Sequence, residues 1–321
     1  MRRGQNPAKF VAEVAQPARL TMAVLTYAPF LGGFFAEALE VMRACLESLW
    51  RTTPAPYDLL VFDNGSCPEV VEYLLEARDA GRIQHLMLSQ HNLGKGGAWN
   101  VIFQAAPGEL LAYTDCDALF FDGWLERSLE ILETYPRVGM VTARPFRTPE
   151  AFLTRTLAWA EADPQVRLER GRFIPWEIFR EFDMSLGQEE EAIRARYAST
   201  EDVRLTYRGV AAQAGASHYQ FLARKSVLAE FVPFVMDRPM GQVRQLDQRM
   251  NDAGYLRLMT TEPLMMNMSN STRPVPPPGA GPAPRRGGLG RRLADFAPVR
   301  RVLLALHDAV FRLYFGAGGG R

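Results

Sequence analysis

ELLAYTDCDALF, residues 109–120, is the stretch on which the fold turns. Its apolar, β-prone run Leu110–Tyr113 stops on two acidic residues, Asp115 and Asp117. DGWLERSLEILETYP (122–136) follows with apolar residues at helical spacing. A strand that ends on polar residues and passes into a helix is half of a β-α-β unit. Working towards the N-terminus, the same unit recurs. NLGKGGAWNVIFQAA (92–106) is a Gly-rich turn leading into a helix, and IQHLMLS (83–89) before it is a strand. PEVVEYLLEARDAG (68–81) has Pro68 at a helix start and Gly81 just past its end. DLLVFDNGS (58–66) is a strand running into a turn, FFAEALEVMRACLESLW (34–50) is a helix, and TMAVLTYAPF (21–30) is the first strand. Towards the C-terminus, VGMVTARPF (138–146) is another.

This alternation predicts an α/β fold with a doubly wound, mostly parallel sheet flanked by helices. Ligands of such sheets bind beyond the carboxyl ends of the strands. Four polar clusters fall there: Thr26-Tyr27, Asp63 to Ser66, Asn92 to Gly97, and Asp115 to Asp117. From about 149 to 210 the pattern gives way to charged, helix-prone sequence such as FLTRTLAWAEA and GQEEEAIRARYA, which reads as a helical insertion and not as sheet. QAGASHYQFLARKSVLAEF (213–231) resumes strand-like sequence. QVRQLDQRMNDAGYLRLMTTEPL (242–264) is a helix, a stop at Gly254 and a last strand.

The domain plan expected is an N-terminal arm over 1–18 and a main α/β unit over 19–272, divided near 148 into two halves, about 19–148 and 149–272. A Pro/Gly linker follows over 273–290, then an amphipathic basic C-terminal helix over 291–321. That helix carries Arg291, Arg292, Arg300, Arg301 and Arg312 beside an apolar face. It fits an anionic membrane surface, a docking face on the protein itself, or a dimer contact.

A balance of 37 Lys and Arg against 36 Asp and Glu gives no global reason to expect nucleic acid. Three cysteines at 45, 67 and 116 have no zinc spacing and cannot all pair, so a reducing compartment fits. The N-terminus lacks an apolar core for a signal peptide, and no 18-residue apolar stretch occurs. The expected location is cytoplasmic, with peripheral attachment at the inner face of the membrane if the C-terminal helix binds lipid.

Chemistry centres on Asp115-Cys116-Asp117. Carboxylates at i and i+2 of an extended segment point the same way and can share a Mg²⁺ or Mn²⁺ ion with the phosphates of a nucleotide-sugar. Any D-x-D string alone is more often just a polar strand end; position at the end of a parallel strand reverses that. Asp63 can accept from a base or ribose, though Asp63-Asn64-Gly65 also reads simply as a turn. Gly94, Gly96 and Gly97 permit close backbone approach, with Lys95 as a movable cation. The spacing matches neither a dinucleotide fingerprint nor a P-loop. Trp99 reads as packing.

VLTYAPF, VFDNGS, NLGKGGAWN, AYTDCDALFFDGWL and RQLDQRMNDAGY resemble, in order and spacing, the motifs of family 2 glycosyltransferases of GT-A fold, over roughly residues 21–270. The resemblance implies a GT-A-like sheet and transfer of a sugar from a UDP- or GDP-linked donor to an unknown glycan, lipid-linked or small-molecule acceptor. It implies that Thr26, Tyr27 and Asp63 line the nucleoside pocket, that Lys95 lies near the nucleotide, and that Asp115 and Asp117 form the metal motif. Asn64, Asn92, Gly94, Asn100 and Asp115 complete the candidate donor-binding set.

The family's general base stands in an E-D pair before an Arg and A-G-Y. Here that place reads Gln242-Val243, so Asp247 is the candidate base for an inverting transfer, with Asp237 and Glu262 as fallbacks. The departure also leaves a retaining mechanism open. His218, in GASHYQF, follows a small-residue loop where an acceptor would approach and is a second catalytic candidate. A lone His is more often structural. For a third metal ligand only Asn267 or Asn270 is placed suitably. Two other functions remain open: a sugar nucleotidyltransferase, against which TYAPFLGGFF lacks a basic phosphate loop, and a GT-A-like protein that binds nucleotide without transfer.

Overall fold

The computed structural model describes residues 4–237 and 243–273, all within one unit spanning Met1–Val275. Residues 4–18 are almost entirely exposed. The elements then run β1 (Leu20–Thr26), α1 (Ala38–Thr52), β2 (Asp58–Asp63), α2 (Pro68–Asp79), β3 (His85–Leu88), α3 (Gly94–Ala105) and β4 (Leu110–Asp115). There follow β5 (Ala118–Phe120), α4 (Trp124–Thr134), β6 (Val138–Thr142), α5 (Thr154–Ala162), β7 (Val166–Gly171), α6 (Trp176–Ser185) and α7 (Glu190–Ser199). The described chain closes with β8 (Asp202–Tyr207), β9 (Val210–Ala214), β10 (Gln220–Arg224), α8 (Lys225–Ala229), α9 (Val243–Asp252), β11 (Leu256–Met259) and β12 (Met265–Asn267). The linker and C-terminal helix expected from the sequence lie outside the described residues, apart from Arg273. Among the described residues, no helix is long and apolar enough to cross a membrane.

One ten-stranded sheet runs β3-β2-β1-β4-β10-β6-β11-β9-β8-β7. The first four strands are parallel neighbours, and β6 and β11 are parallel to one another. β10 is antiparallel to both its neighbours, β4 and β6. The α/β, doubly wound sheet flanked by helices expected from the sequence is the one observed.

Side-chain alternation along the strands buries both faces. Met22, Val24, Leu59, Val61 and Ala112 enter a core shared with α1, α2 and α4. Ala23, Leu25, Leu60, Phe62, Leu111 and Tyr113 enter a second core with α3, α8 and α9. Trp99 sits in that second core with no exposed surface, stacked on Phe103 and edge-on to Tyr113. Its role is packing, as the sequence suggested.

Two sequence expectations are corrected. Residues 149–210 contain the expected helices α5, α6 and α7, but β7 and β8 also extend the main sheet as an antiparallel edge. Arg167, Glu169 and Arg170 stand on that outermost strand, where charge guards an open edge against further pairing. The same charge makes the segment read as helix. Secondly, 109–120 is not one strand. β4 stops at Asp115, the chain turns at Cys116-Asp117, and β5 pairs with β12 in a separate two-stranded sheet.

Candidate functional site

Parallel pairing fixes the rim of the site. Thr26 lies opposite Asp63 across β1 and β2, and Leu25 lies opposite Asp115 across β1 and β4. Three strand ends therefore deliver Thr26, Asp63 and Asp115 to one edge of the sheet, where ligands of such folds bind.

On β4, Tyr113 and Asp115 share a face by the two-residue period, and α3 lies over that face. The Tyr113 hydroxyl donates to Asp115 Oδ1 at 2.5 Å, and Lys95 Nζ, from the first turn of α3, reaches Asp115 Oδ2 at 2.5 Å. The Asp115 main-chain N–H donates to the Tyr219 carbonyl at 2.8 Å, tying β4 to the chain just before β10.

Asp117 occupies the turn, so the pair does not lie on a straight extended segment as the spacing predicted. Its main-chain carbonyl accepts from Met268 N–H at 2.7 Å, which docks the 265–270 segment against the turn. Asp117 Oδ1 is buried and has no hydrogen-bond partner among the described residues. Burial, and next the neighbouring Asp115 charge, push the Asp117 carboxyl up to about 7, with Lys95 pulling the other way.

A cleft of about 240 Å³ opens beside this pair. Tyr27, Phe34, Phe35 and Ala38 line it together with Asp115, Cys116, Asp117, Ser269 and Asn270. The structure thus brings Tyr27, Asp115, Asp117 and Asn270 together. Asn270 donates its amide Nδ2 to the Phe34 carbonyl at 3.2 Å. Asn267 is instead engaged with Ser269 N–H.

The remaining candidates do not line this cleft. Asp63 is 1 % exposed, and its carboxylate accepts from Thr26 Oγ1, Gly65 N–H and Ser66 N–H. It ties down its own turn, the bland reading of that motif. Asn64 donates to Asn92 Oδ1 at 2.9 Å and accepts from Leu93 N–H, while Asn92 also receives Gly94 N–H at 2.8 Å. These bonds lace the β2 turn to the start of α3. Gly65 is required there: at φ +89° a Cβ would sit 3.1 Å from the His91 carbonyl carbon.

Asn100 faces the chain itself. Both ends of its amide bond the main chain of Phe234, donating to the carbonyl at 2.9 Å and accepting the N–H at 2.6 Å. It clamps the segment after α8 over α3, and both of its polar atoms are committed to that contact.

Asp247 is not a free base either. Only 6 % exposed, it accepts from Arg257 Nη2 at 2.6 Å through Oδ1 and meets His218 Nδ1 at 2.9 Å through Oδ2. Its pairing with Arg244 or Arg249, weighed as the bland alternative, is replaced by Arg257, and Arg249 donates to the Phe231 carbonyl. Glu262 is exposed and faces Arg127. Tyr113 and Arg257 are two members of the site that sequence reasoning missed. Tyr113 is legible as the residue two before Asp115 on one strand. Arg257, alone among the apolar residues of LRLM, signals a buried counter-charge.

Two carboxylates fit a hard cation that completes its shell with phosphate oxygens and water. The partnerless Asp117 Oδ1 is what such a cation would satisfy. Among the described residues, no group of three or more His, Cys, Asp or Glu could hold a metal by itself.

Residues 34–191, just under half of the chain, match the model for Glycosyl transferase family 2. A 100-residue stretch is 27% identical to the uncharacterised glycosyltransferase alr2836 of Nostoc sp., covering 31% of this chain and 31% of that protein. Among solved structures, the mannosyltransferase PcManGT from Pyrobaculum calidifontis, in complex with GDP-Man and Mn2+, aligns over 80% of this chain and 60% of its own. Its TM-score is 0.45 at 15% identity. S. aureus TarS 1-349 aligns over 77% and 59%, with TM-score 0.45 and 13% identity. The part of the chain that matches the glycosyl transferase family 2 model, residues 34–191, holds Asp63, Lys95, Asp115 and Asp117.

Proposed function

We propose that the protein is a metal-assisted, inverting glycosyltransferase of hexosyltransferase type, which moves a sugar from a UDP- or GDP-linked diphospho-sugar to an acceptor hydroxyl. The observation that carries this is the convergence of the β1 and β4 ends on one cleft lined by Asp115 and the partnerless Asp117.

In this reading Asp115 and Asp117 hold Mn²⁺ or Mg²⁺, which when bound supplies positive charge to the departing nucleoside diphosphate. Lys95 leaves Asp115 for a donor phosphate, since its ammonium is the one mobile cation contacting the carboxylate among the described residues. The Tyr27, Phe34 and Phe35 wall offers aromatic surface to the base. Asp63 and the Asn64–Asn92 bonds keep the neighbouring turns in place for the donor. The protein acts in the cytoplasm, and its basic C-terminal segment brings it to anionic membrane carrying lipid-linked acceptors.

The test is release of UDP or GDP from a panel of nucleotide-sugars, with and without Mn²⁺, by wild type and by Asp115→Asn and Asp117→Asn. The reading expects metal-dependent release by wild type alone. Nucleotide binding without any release would instead favour a binding protein, and binding retained in both variants would remove the metal assignment.

A further inference from the structure

Behind the rim stands a chain of three side chains from three distant segments. Arg257 on β11 is 1 % exposed and holds Asp247 on α9, and Asp247 holds His218. Arg257 is itself fixed by the Phe152 and Ala216 carbonyls at 3.1 and 2.7 Å. His218 sits at the tip of a tight turn whose flanks, Ser217 and Gln220, bridge one another. The carbonyl of the next residue, Tyr219, receives the Asp115 main-chain N–H, so this turn abuts the end of β4.

The three members differ in exposure in a telling way. Arg257 and Asp247 are buried, whereas the His218 side chain keeps 29% of its surface. Facing a carboxylate, Nδ1 is the nitrogen that carries a proton, and in the neutral imidazole Nε2 is then the lone-pair nitrogen. Nε2 has no hydrogen-bond partner among the described residues.

We infer that His218 is the general base of the transfer and that Asp247, anchored by Arg257, is its positioning residue; this rests on the glycosyltransferase reading above. The acceptor hydroxyl oxygen forms its bond to the anomeric carbon as the bond from that carbon to the diphosphate oxygen breaks. The electron pair of the broken bond leaves with the nucleoside diphosphate. The hydroxyl proton passes to Nε2, and the resulting imidazolium is stabilised by Asp247. The dyad takes, from a different segment, the role left vacant where Gln242-Val243 replaces the acidic pair.

Water can stand in for the unidentified acceptor, so hydrolysis of UDP-glucose, UDP-N-acetylglucosamine and GDP-mannose with Mn²⁺ is the assay. His218→Gln is expected to lower kcat about a hundredfold or more. KM and Mn²⁺-dependent UDP or GDP binding should stay within about twofold, because the amide side chain would still fill the turn but could not take a proton. Imidazole added to His218→Ala should restore part of the rate, an effect that a structural role would not give. Asp247→Asn should lower kcat with KM unchanged, and His218→Gln in that background should add little, since the two act as one unit. A His218→Gln enzyme that keeps kcat within about threefold of wild type overturns the dyad while leaving the glycosyltransferase reading intact. Absence of both release and nucleotide binding in the wild type overturns the two together.

Discussion

Lys95 Nζ lies 2.5 Å from Asp115 Oδ2, so an ammonium already neutralises the carboxylate that a metal ion would share with Asp117. Lysine and cation compete for one oxygen. Replacing Lys95 by Met removes the competitor and also the group proposed to follow the phosphates. Free Mn²⁺ should then bind more tightly, while UDP or GDP binds about tenfold more weakly, the scale of one lost charge-assisted bond. Calorimetric titration of each ligand separately decides it; unchanged nucleotide affinity would count against the role of Lys95.

Asp117 makes the metal-free protein sensitive to pH. Its folded-state carboxyl titrates at about 7, well above the ordinary value of 3.8. An acid whose pKa is raised on folding destabilises the fold once its unfolded form ionises. The melting temperature of the metal-free protein should therefore fall as pH rises from about 4 to about 7, then level off as far as this group is concerned. Asp117→Asn should flatten that decline and abolish any rise in melting temperature on adding Mn²⁺. A pH slope identical to wild type in the variant would refute the assignment.

The buried pair Arg257–Asp247 should matter more for stability than the His218 it supports. Asp247→Ala leaves a guanidinium buried without its counter-charge and should destabilise by about 3 kcal/mol. His218→Ala, at a partly exposed position, should change stability by less than about 1 kcal/mol. Urea unfolding followed by circular dichroism measures both, and equal losses would contradict the burial difference.

Asn100 pins the main chain of Phe234 with two hydrogen bonds. Asn100→Ala should cost about 1–2 kcal/mol and raise amide exchange locally at 231–237, leaving the sheet amides protected. Exchange that rises uniformly through the sheet would mean the clamp is not local.

Much of this architecture is legible in the sequence alone. The β-α rhythm places β1 to β4 and their polar ends, because a parallel sheet buried on both faces writes long apolar runs into the chain. Asp115, Asp117 and Lys95 emerge from that placement. What stays hidden depends on long-range pairing. Asp247 meets His218 and Arg257 only through the turn before β10 and through β11, whereas local spacing points to Arg244 and Arg249 as its partners. Asp63 stands at the expected strand end, but a carboxylate that caps its own turn looks the same in sequence as one facing a nucleoside. The β7–β8 edge escapes notice because charge on an exposed strand resembles charge on a helix.

The antiparallel insertion of β10 also bears on how this chain can be made. β4 leaves the ribosome with one edge on β1 and the other open, and its partner for that edge, Gln220 opposite Thr114, comes much later in the chain. At about 5–20 residues per second that gap amounts to several seconds of synthesis during which an apolar strand edge is unsatisfied. A fragment ending after β6 would carry that edge permanently, and with it a tendency to aggregate that the complete sheet does not have.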